Sequence, residues 1–176
     1  MKTEITSSAN GRVNLLGEHL DYNGGSVLPL QIDRYVKIFL SDNNIDQKII
    51  IESKQYNEKI IIDQNFLKQN NWSDFVVGTC KIISDKFNLK TSNLHFEIDS
   101  DLPIGIGLSS SAAITVCTLK VLIKKFNIKI SNEELVNLAL KVERDFVNVG
   151  GGIMDQFTSV YGSTSEILFL DTATND

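Results

Sequence analysis

Between Leu102 and Cys117 the chain reads LPIGIGLSSSAAITVC, two glycines and then three serines that run into an apolar, helix-compatible stretch. Gly105 and Gly107 permit a tight backbone turn and a close approach to a ligand, because no Cβ stands in the way. The amides of Leu108 to Ala112 would then be unpaired donors of a first helical turn, where the peptide dipoles favour negative charge. A phosphate fits such a cradle. The same composition also serves plain structure, since serine caps helices and glycine makes turns, so the loop alone leaves both readings open. It is not a P-loop: there is no GxxxxGK[ST] string and no lysine follows the glycines. Neutralising a phosphate here rests on amides, the helix dipole and a cation.

Two other stretches concentrate reactive side chains. GRVNLLGEHLDYNGGSVLPL, Gly11 to Leu30, crowds Glu18, His19, Asp21 and Tyr22 together ahead of a Gly-Gly turn. A polyol carries donors and acceptors around its rim, and carboxylates with an imidazole on a rigid loop can recognise one. A zinc site is the competing use of Glu-His-x-Asp. It is disfavoured, because the chain has only two histidines, His95 falls on a predicted strand, and no HExxH spacing occurs. GGIMDQFTSVYG, Gly151 to Gly162, puts Asp155 at the start of a predicted helix, where it either does chemistry or caps the helix. Glu143, twelve residues upstream, looks by itself like a solvated helix glutamate balanced by Lys141 and Arg144.

The elements that must position these groups change character along the chain. Up to about residue 62 the pattern is β-rich, with strands expected at Glu4–Ser8, Ser26–Ile32, Tyr35–Leu40, Lys48–Glu52 and Lys59–Ile62. Asn23-Gly24-Gly25 and Asp42-Asn43-Asn44 are turn signals, and Asn65 to Asn71 is a polar connection. Trp72, Phe75, Val76, Thr79, Cys80, Ile83 and Phe87 then share one helical face, and Leu94–Ile98 alternates as a strand feeding the glycine loop. Helices are expected at Ser110–Phe126, Glu133–Phe146 behind a Ser131-Asn132 cap, and Asp155–Tyr161, before a strand at Ile167–Leu170. Thr172 to Asp176 gives no compact terminal element. Irregular interleaving of strands and helices makes this a single α+β domain.

At 176 residues and 42% hydrophobic, the chain can bury one core. It has 22 acids, 17 bases and a net charge of −5 without any basic run, so nucleic acid and anionic membrane are not expected partners. No apolar stretch reaches the length of a membrane span and MKTEITSSANGR lacks a signal-peptide core, so a cytoplasmic location is expected. Cys80 and Cys117 fall in apolar helical segments and read as reduced core residues.

Taken together, the three stretches resemble the signature motifs of the GHMP kinases, and within that superfamily those of galactokinases. The resemblance implies a ribosomal protein S5 domain 2-like α+β fold over residues 1–176, the N-terminal domain of a two-domain kinase whose C-terminal domain is absent from this chain. It implies phosphorylation of a sugar at its anomeric hydroxyl by ATP with Mg²⁺, galactose giving galactose 1-phosphate. In the family pattern Asp155 and Arg12 are the catalytic couple, and Glu18, His19, Asp21, Gly152 and Asp155 bind the sugar. Gly152 lets the ligand approach the backbone. Gly105, Gly107, Leu108, Ser109, Ser110 and Ser111 bind ATP, while Ser111, Ser110 and Glu143 hold the metal. Trp72 matches a tryptophan near the adenine, and equally reads as a core residue that opens an amphipathic helix.

One departure is the run Gly150-Gly151-Gly152, which is expected to loosen the loop before Asp155 because Gly151 replaces a more usual cysteine. A sibling kinase for N-acetylgalactosamine, galacturonate, arabinose or a heptose would share all three motifs. A non-catalytic sugar sensor is a further alternative, against which the intact serine loop speaks.

Overall fold

A computed structural model describes residues 4–103 and 105–174. Ile104 of the glycine loop, and residues 175–176 of the stretch read as having no compact element, lie outside the described residues. The strands are β1 (Ile5–Asn14), β2 (Ser26–Val27), β3 (Pro29–Asp42), β4 (Lys48–Ser53), β5 (Glu58–Asp63), β6 (Leu94–Ser100) and β7 (Leu170–Asp171). The helices are α1 (Asp74–Phe87), α2 (Ser110–Phe126), α3 (Asn132–Lys141) and α4 (Met154–Tyr161), with a π-helical turn at Val142–Val147. The main sheet has the order β1-β3-β6-β4-β5, and all its neighbours are antiparallel except β4 and β6. β2 and β7 form a small second sheet. Mixed pairing with helices on the sheet agrees with the α+β expectation.

Alternation along the strands creates the core. Val36, Ile38 and Leu40 of β3, Ile49 and Ile51 of β4, and Phe96 and Ile98 of β6 are buried. They belong to one cluster with Val76, Cys80 and Ile83 of α1 and with Val116, Leu119 and Leu122 of α2. Each such side chain contributes roughly 1.5–3 kcal/mol when fully buried, which fixes α2 against β1 and β3. Cys80 and Cys117 sit inside this core as free thiols, and burial pushes the Cys117 thiol up to about 12, so both are inert. Ser131 caps α3, its side chain accepting from the Glu134 amide at 3.1 Å.

Three expectations need correction. The strands foreseen at Ser26–Ile32 and Tyr35–Leu40 are a short β2 and a continuous β3, because a bulge rather than a turn separates Gln31 from Tyr35. Asn10 pairs with Tyr35 and Arg12 with Gln31, so Ile32, Asp33 and Arg34 together stand opposite Gly11. The polar pair that looks like a break is the protruding part of that bulge. β1 itself runs on to Asn14. The helix foreseen at Glu133–Phe146 ends as an α-helix at Lys141 and widens into the π turn, which changes which side chains face inward. The strand foreseen at Ile167–Leu170 is reduced to β7, with Ile167 making only an isolated bridge to Leu30.

Candidate active site

The bulge positions the first functional group. Bulges re-aim side chains next to sites, and here the backbone beside the bulge also touches the glycine loop. The Arg12 amide donates to Leu108 O at 3.2 Å, and a Cβ on Gly11 would lie 2.7 Å from that same oxygen. Arg12 then reaches across the molecule. Its Nε and Nη2 both contact Asp155 Oδ1, at 2.7 and 2.6 Å, and its Nη1 donates to Gly107 O at 2.8 Å. Ser109 Oγ donates to the other Asp155 oxygen, Oδ2, at 2.5 Å. Asp155 therefore lies in the first turn of α4 without capping it. Charge-assisted bonds of this kind are worth about 1.5–3 kcal/mol each when partly buried.

The loop itself is built from left-handed residues. Gly105 and Gly107 have φ of +73° and +75° with nothing within 4 Å of an added Cβ, so backbone conformation rather than space demands glycine. Ser109 also has a positive φ, 56°, unusual for a residue with a side chain. That conformation turns its hydroxyl away from capping α2 and toward Asp155. Leu108 consequently precedes the helix, and the uncapped first-turn amides are those of Ser110, Ser111 and Ala112, since the Ala113 amide already bonds Ser109 O. Ser109 supplies its hydroxyl to Asp155 rather than to the loop's open side.

A cavity of about 640 Å³ opens beside Asp155. Arg12, Glu18, His19, Asp21, Gly107, Leu108, Ser111, Glu143, Gly152 and Asp155 all line it, from five separate parts of the chain. Gly152 contributes by what it lacks. An added Cβ would lie 2.2 Å from Asp21 Oδ2 and 2.6 Å from the Asp21 carbonyl carbon, so the missing side chain makes room for Asp21. Two hydrogen bonds flank or reach the triple glycine: Arg144 Nη2 donates to Gly151 O at 2.8 Å and the Val149 amide donates to Glu143 O at 2.9 Å. A second, smaller cavity of about 130 Å³ runs from Ser110 and Ser111 to Trp72 and Tyr56. Ser111 lines both.

The π turn carries Glu143 inward, overturning its reading as a solvated glutamate. It is 8% exposed, and its Oε1 has no hydrogen-bond partner. Burial, and then the charge of Asp155, push its carboxyl up to about 7, while Gln156, Ser111 and Arg144 pull the other way. A buried carboxylate oxygen without a partner facing a serine suits a hard divalent cation, which takes few protein ligands and keeps waters or phosphate oxygens for the rest. Among the described residues no group of three His, Cys, Asp or Glu side chains is placed to hold a metal ion by itself. Ser111 is the serine on this side, whereas Ser110 lines only the second cavity.

Asn14 and Gln156 escape the sequence reading. Both line the larger cavity, and both amide atoms of each are buried without partners. Both stand inside the signature stretches, and only their burial singles them out. Trp72 stacks on Tyr56 and donates from Nε1 to Glu58 at 2.7 Å, so it is both packed and at the rim of a cavity. His95 lies away from the site, 3.1 Å from Glu52 on the neighbouring strand. Among the described residues, no helix is long and apolar enough to cross a membrane.

Comparisons with known proteins bear on the family and the fold. The GHMP kinases N terminal domain family matches residues 74–163, and the galactokinase galactose-binding signature matches residues 1–42. Galactokinase from Thermosipho africanus is 40% identical over 168 residues, 96% of this chain and 46% of the relative. Galactokinase from Pyrococcus furiosus is 39% identical over 173 residues, covering 98% and 48%. The crystal structure of Lactococcus lactis galactokinase complexed with galactose superposes with a TM-score of 0.90 at 30% identity, covering 98% of this chain and 46% of that one. A Methanococcus jannaschii mevalonate kinase, at 24% identity and a TM-score of 0.83, shares the fold. The chain thus spans about half the length of the curated relatives it matches. It belongs to the GHMP kinase family and carries the galactose-binding signature of galactokinases.

Proposed function

We propose that this chain is the substrate-gathering half of a galactokinase, which transfers the terminal phosphoryl group of ATP to the anomeric hydroxyl of galactose and forms galactose 1-phosphate. The observation that supports it most is the clasp on Asp155. Arg12 and Ser109 hold that carboxylate where a cavity lined by Glu18, His19 and Asp21 meets the uncapped start of α2.

Each group then has a task. Glu18, His19 and Asp21 grip hydroxyls around the sugar, leaving the anomeric one facing Asp155. Asp155 orients that hydroxyl and accepts its proton, while Arg12 balances the charge that spreads over the phosphoryl oxygens. A loose transition state demands positioning more than strong base chemistry, which suits an aspartate held on both oxygens. The amides of Ser110, Ser111 and Ala112 receive phosphate oxygens. Glu143 and Ser111 are the residues that would hold Mg²⁺, which when bound neutralises the phosphates. The cytoplasm, where ATP is made available, is the proposed location. By itself this half has little or no turnover, because a second domain is proposed to close the site.

Calorimetric titration of the chain with galactose and with MgATP tests the reading, together with product formation by a polypeptide of the relatives' length that carries this sequence. The expected result is saturable galactose binding and galactose 1-phosphate as product, with galacturonate, arabinose and N-acetylgalactosamine poorer acceptors. Absence of any hexose affinity, or a better acceptor among the other sugars, overturns it.

A further inference from the structure

The two cavities that share Ser111 differ in one respect that the reaction alone does not require: the smaller is closed by an aromatic pair. Tyr56 lies flat on Trp72, with ring centroids 5.2 Å apart and planes 8° from parallel. The indole is fixed, since its Nε1 donates to Glu58 Oε2 at 2.7 Å and the ring packs against the core. The Tyr56 ring is not: the residue stands on the turn between β4 and β5 with its amide donating to Ser53 Oγ at 3.3 Å, but it is 40% exposed and no hydrogen bond holds its hydroxyl among the described residues. The space left between this pair and Ser110 is about 130 Å³. Small-molecule sites run to roughly 300–1,000 Å³. That is small for a nucleotide site, and the Tyr56 ring covers the indole face on which a base would stack.

We propose that Tyr56 occupies the purine's place on Trp72 in the ligand-free protein and swings out on the β4–β5 turn to yield that face to the base. The inference rests on the proposed binding of a nucleotide's phosphates at the start of α2. The physical reason is that two exposed aromatic faces in water close on each other, offset or parallel, unless something larger and flatter displaces one of them. The tethered ring is the platform and the untethered ring is its occupant. Because the competent state is then only partly populated, the occupant weakens apparent nucleotide affinity by the fraction of time it stays in place.

Trp72 is the single tryptophan of the chain, so its emission reports on this face directly. The experiment titrates wild type, Tyr56→Ala and Tyr56→Phe with MgATP and with magnesium tripolyphosphate, which lacks a base, following Trp72 fluorescence and heat. Thermal melting checks that each variant is folded. Tyr56→Ala is expected to bind MgATP about three- to tenfold more tightly and to associate faster, as expected for removing one competing stack. Tyr56→Phe, which keeps the ring, is expected to match wild type, and all three are expected to bind tripolyphosphate equally. Unchanged or weaker MgATP binding by Tyr56→Ala overturns the inference, because the tyrosine is then a bystander or a wall against the bound base. MgATP binding that leaves Trp72 emission untouched in every variant also overturns it. Failure of all three proteins to bind either probe instead overturns the nucleotide reading beneath it.

Discussion

The two cavities on either side of Ser111 are built by opposite means. In the larger, the central charges are paired before any ligand arrives: Arg12 with Asp155 and the glycine loop, Ser109 with Asp155. The smaller is filled by its own aromatic side chains. Charges drawn partly out of water must find partners or lose several kcal/mol, so a polar site stays rigid when empty. Apolar faces have no such obligation and close on one another. On the proposed reading, a site with both kinds of wall receives sugar and phosphate as it stands but must be opened for a base.

Breaking the polar side carries the largest expected effect. Asp155→Asn keeps the shape of the side chain but removes the proton acceptor and the ion pair with Arg12. Turnover in a polypeptide of the relatives' length is expected to fall by about 10²–10⁴-fold, with galactose affinity changed far less. A loss under tenfold in a steady-state assay would show that Asp155 only positions the sugar.

Glu143 comes next, because among the described residues it is the one ionisable group lining the larger cavity that has a buried oxygen without a partner. Its carboxyl titrates at about 7 in the folded chain against 4.5 as its ordinary value, so the folded state holds more protons between those pH values. Stability of the ligand-free chain is therefore expected to fall as pH rises from about 4.5 to about 7, by on the order of 3 kcal/mol if the whole shift is realised. Glu143→Gln should abolish that slope in urea melts run across the window. Mg²⁺ affinity should rise over the same interval in the native protein, since the ion requires the carboxylate. A wild-type slope identical to that of the variant counts against the buried, protonated state.

Gly152→Ala sharpens the contrast instead of erasing it. The added methyl meets the carboxylate and backbone of Asp21 and displaces the sugar loop. Calorimetry is expected to show galactose binding weakened by roughly tenfold or more, the loss of one or two good polar contacts, with tripolyphosphate binding unchanged. Equal losses for both ligands would mean that the two cavities do not separate. Smallest of all, Glu58→Gln loosens only the tether on Trp72. About a twofold change in MgATP affinity and none in galactose affinity is expected from a solvent-exposed hydrogen bond.

Much of the fold is legible from local pattern. The α2 bounds, the Ser131 cap and the apolar face of α1 follow from periodicity and capping chemistry, which depend on neighbours a few residues apart. The gap that the expected strands leave at Asp33-Arg34 is a bulge within β3, because a bulge and a strand end place the same polar residues outward and only the partner strand tells them apart. Glu143 is the plainest case at the site. Its neighbours Lys141 and Arg144 describe a solvated helix, and nothing in that string announces a π turn that rotates the carboxylate into the interior. Gly152 and Asp21 are similar, since a steric need between residues far apart in sequence leaves no local trace.

By itself the sequence determined which residues could do chemistry: two glycines ahead of a serine-rich helix start, a crowded polar loop, and an aspartate opening a helix. These are properties of residue type and short spacing. Tertiary structure alone decided that Glu143 lies buried with an unpartnered oxygen and that Tyr56 covers Trp72, and it brought to hydrogen-bond distance, across 143 positions, the Arg12–Asp155 couple that only the family resemblance implies. Pairing, burial and occlusion depend on what the rest of the chain brings alongside, and a residue's own neighbours in sequence do not carry that information.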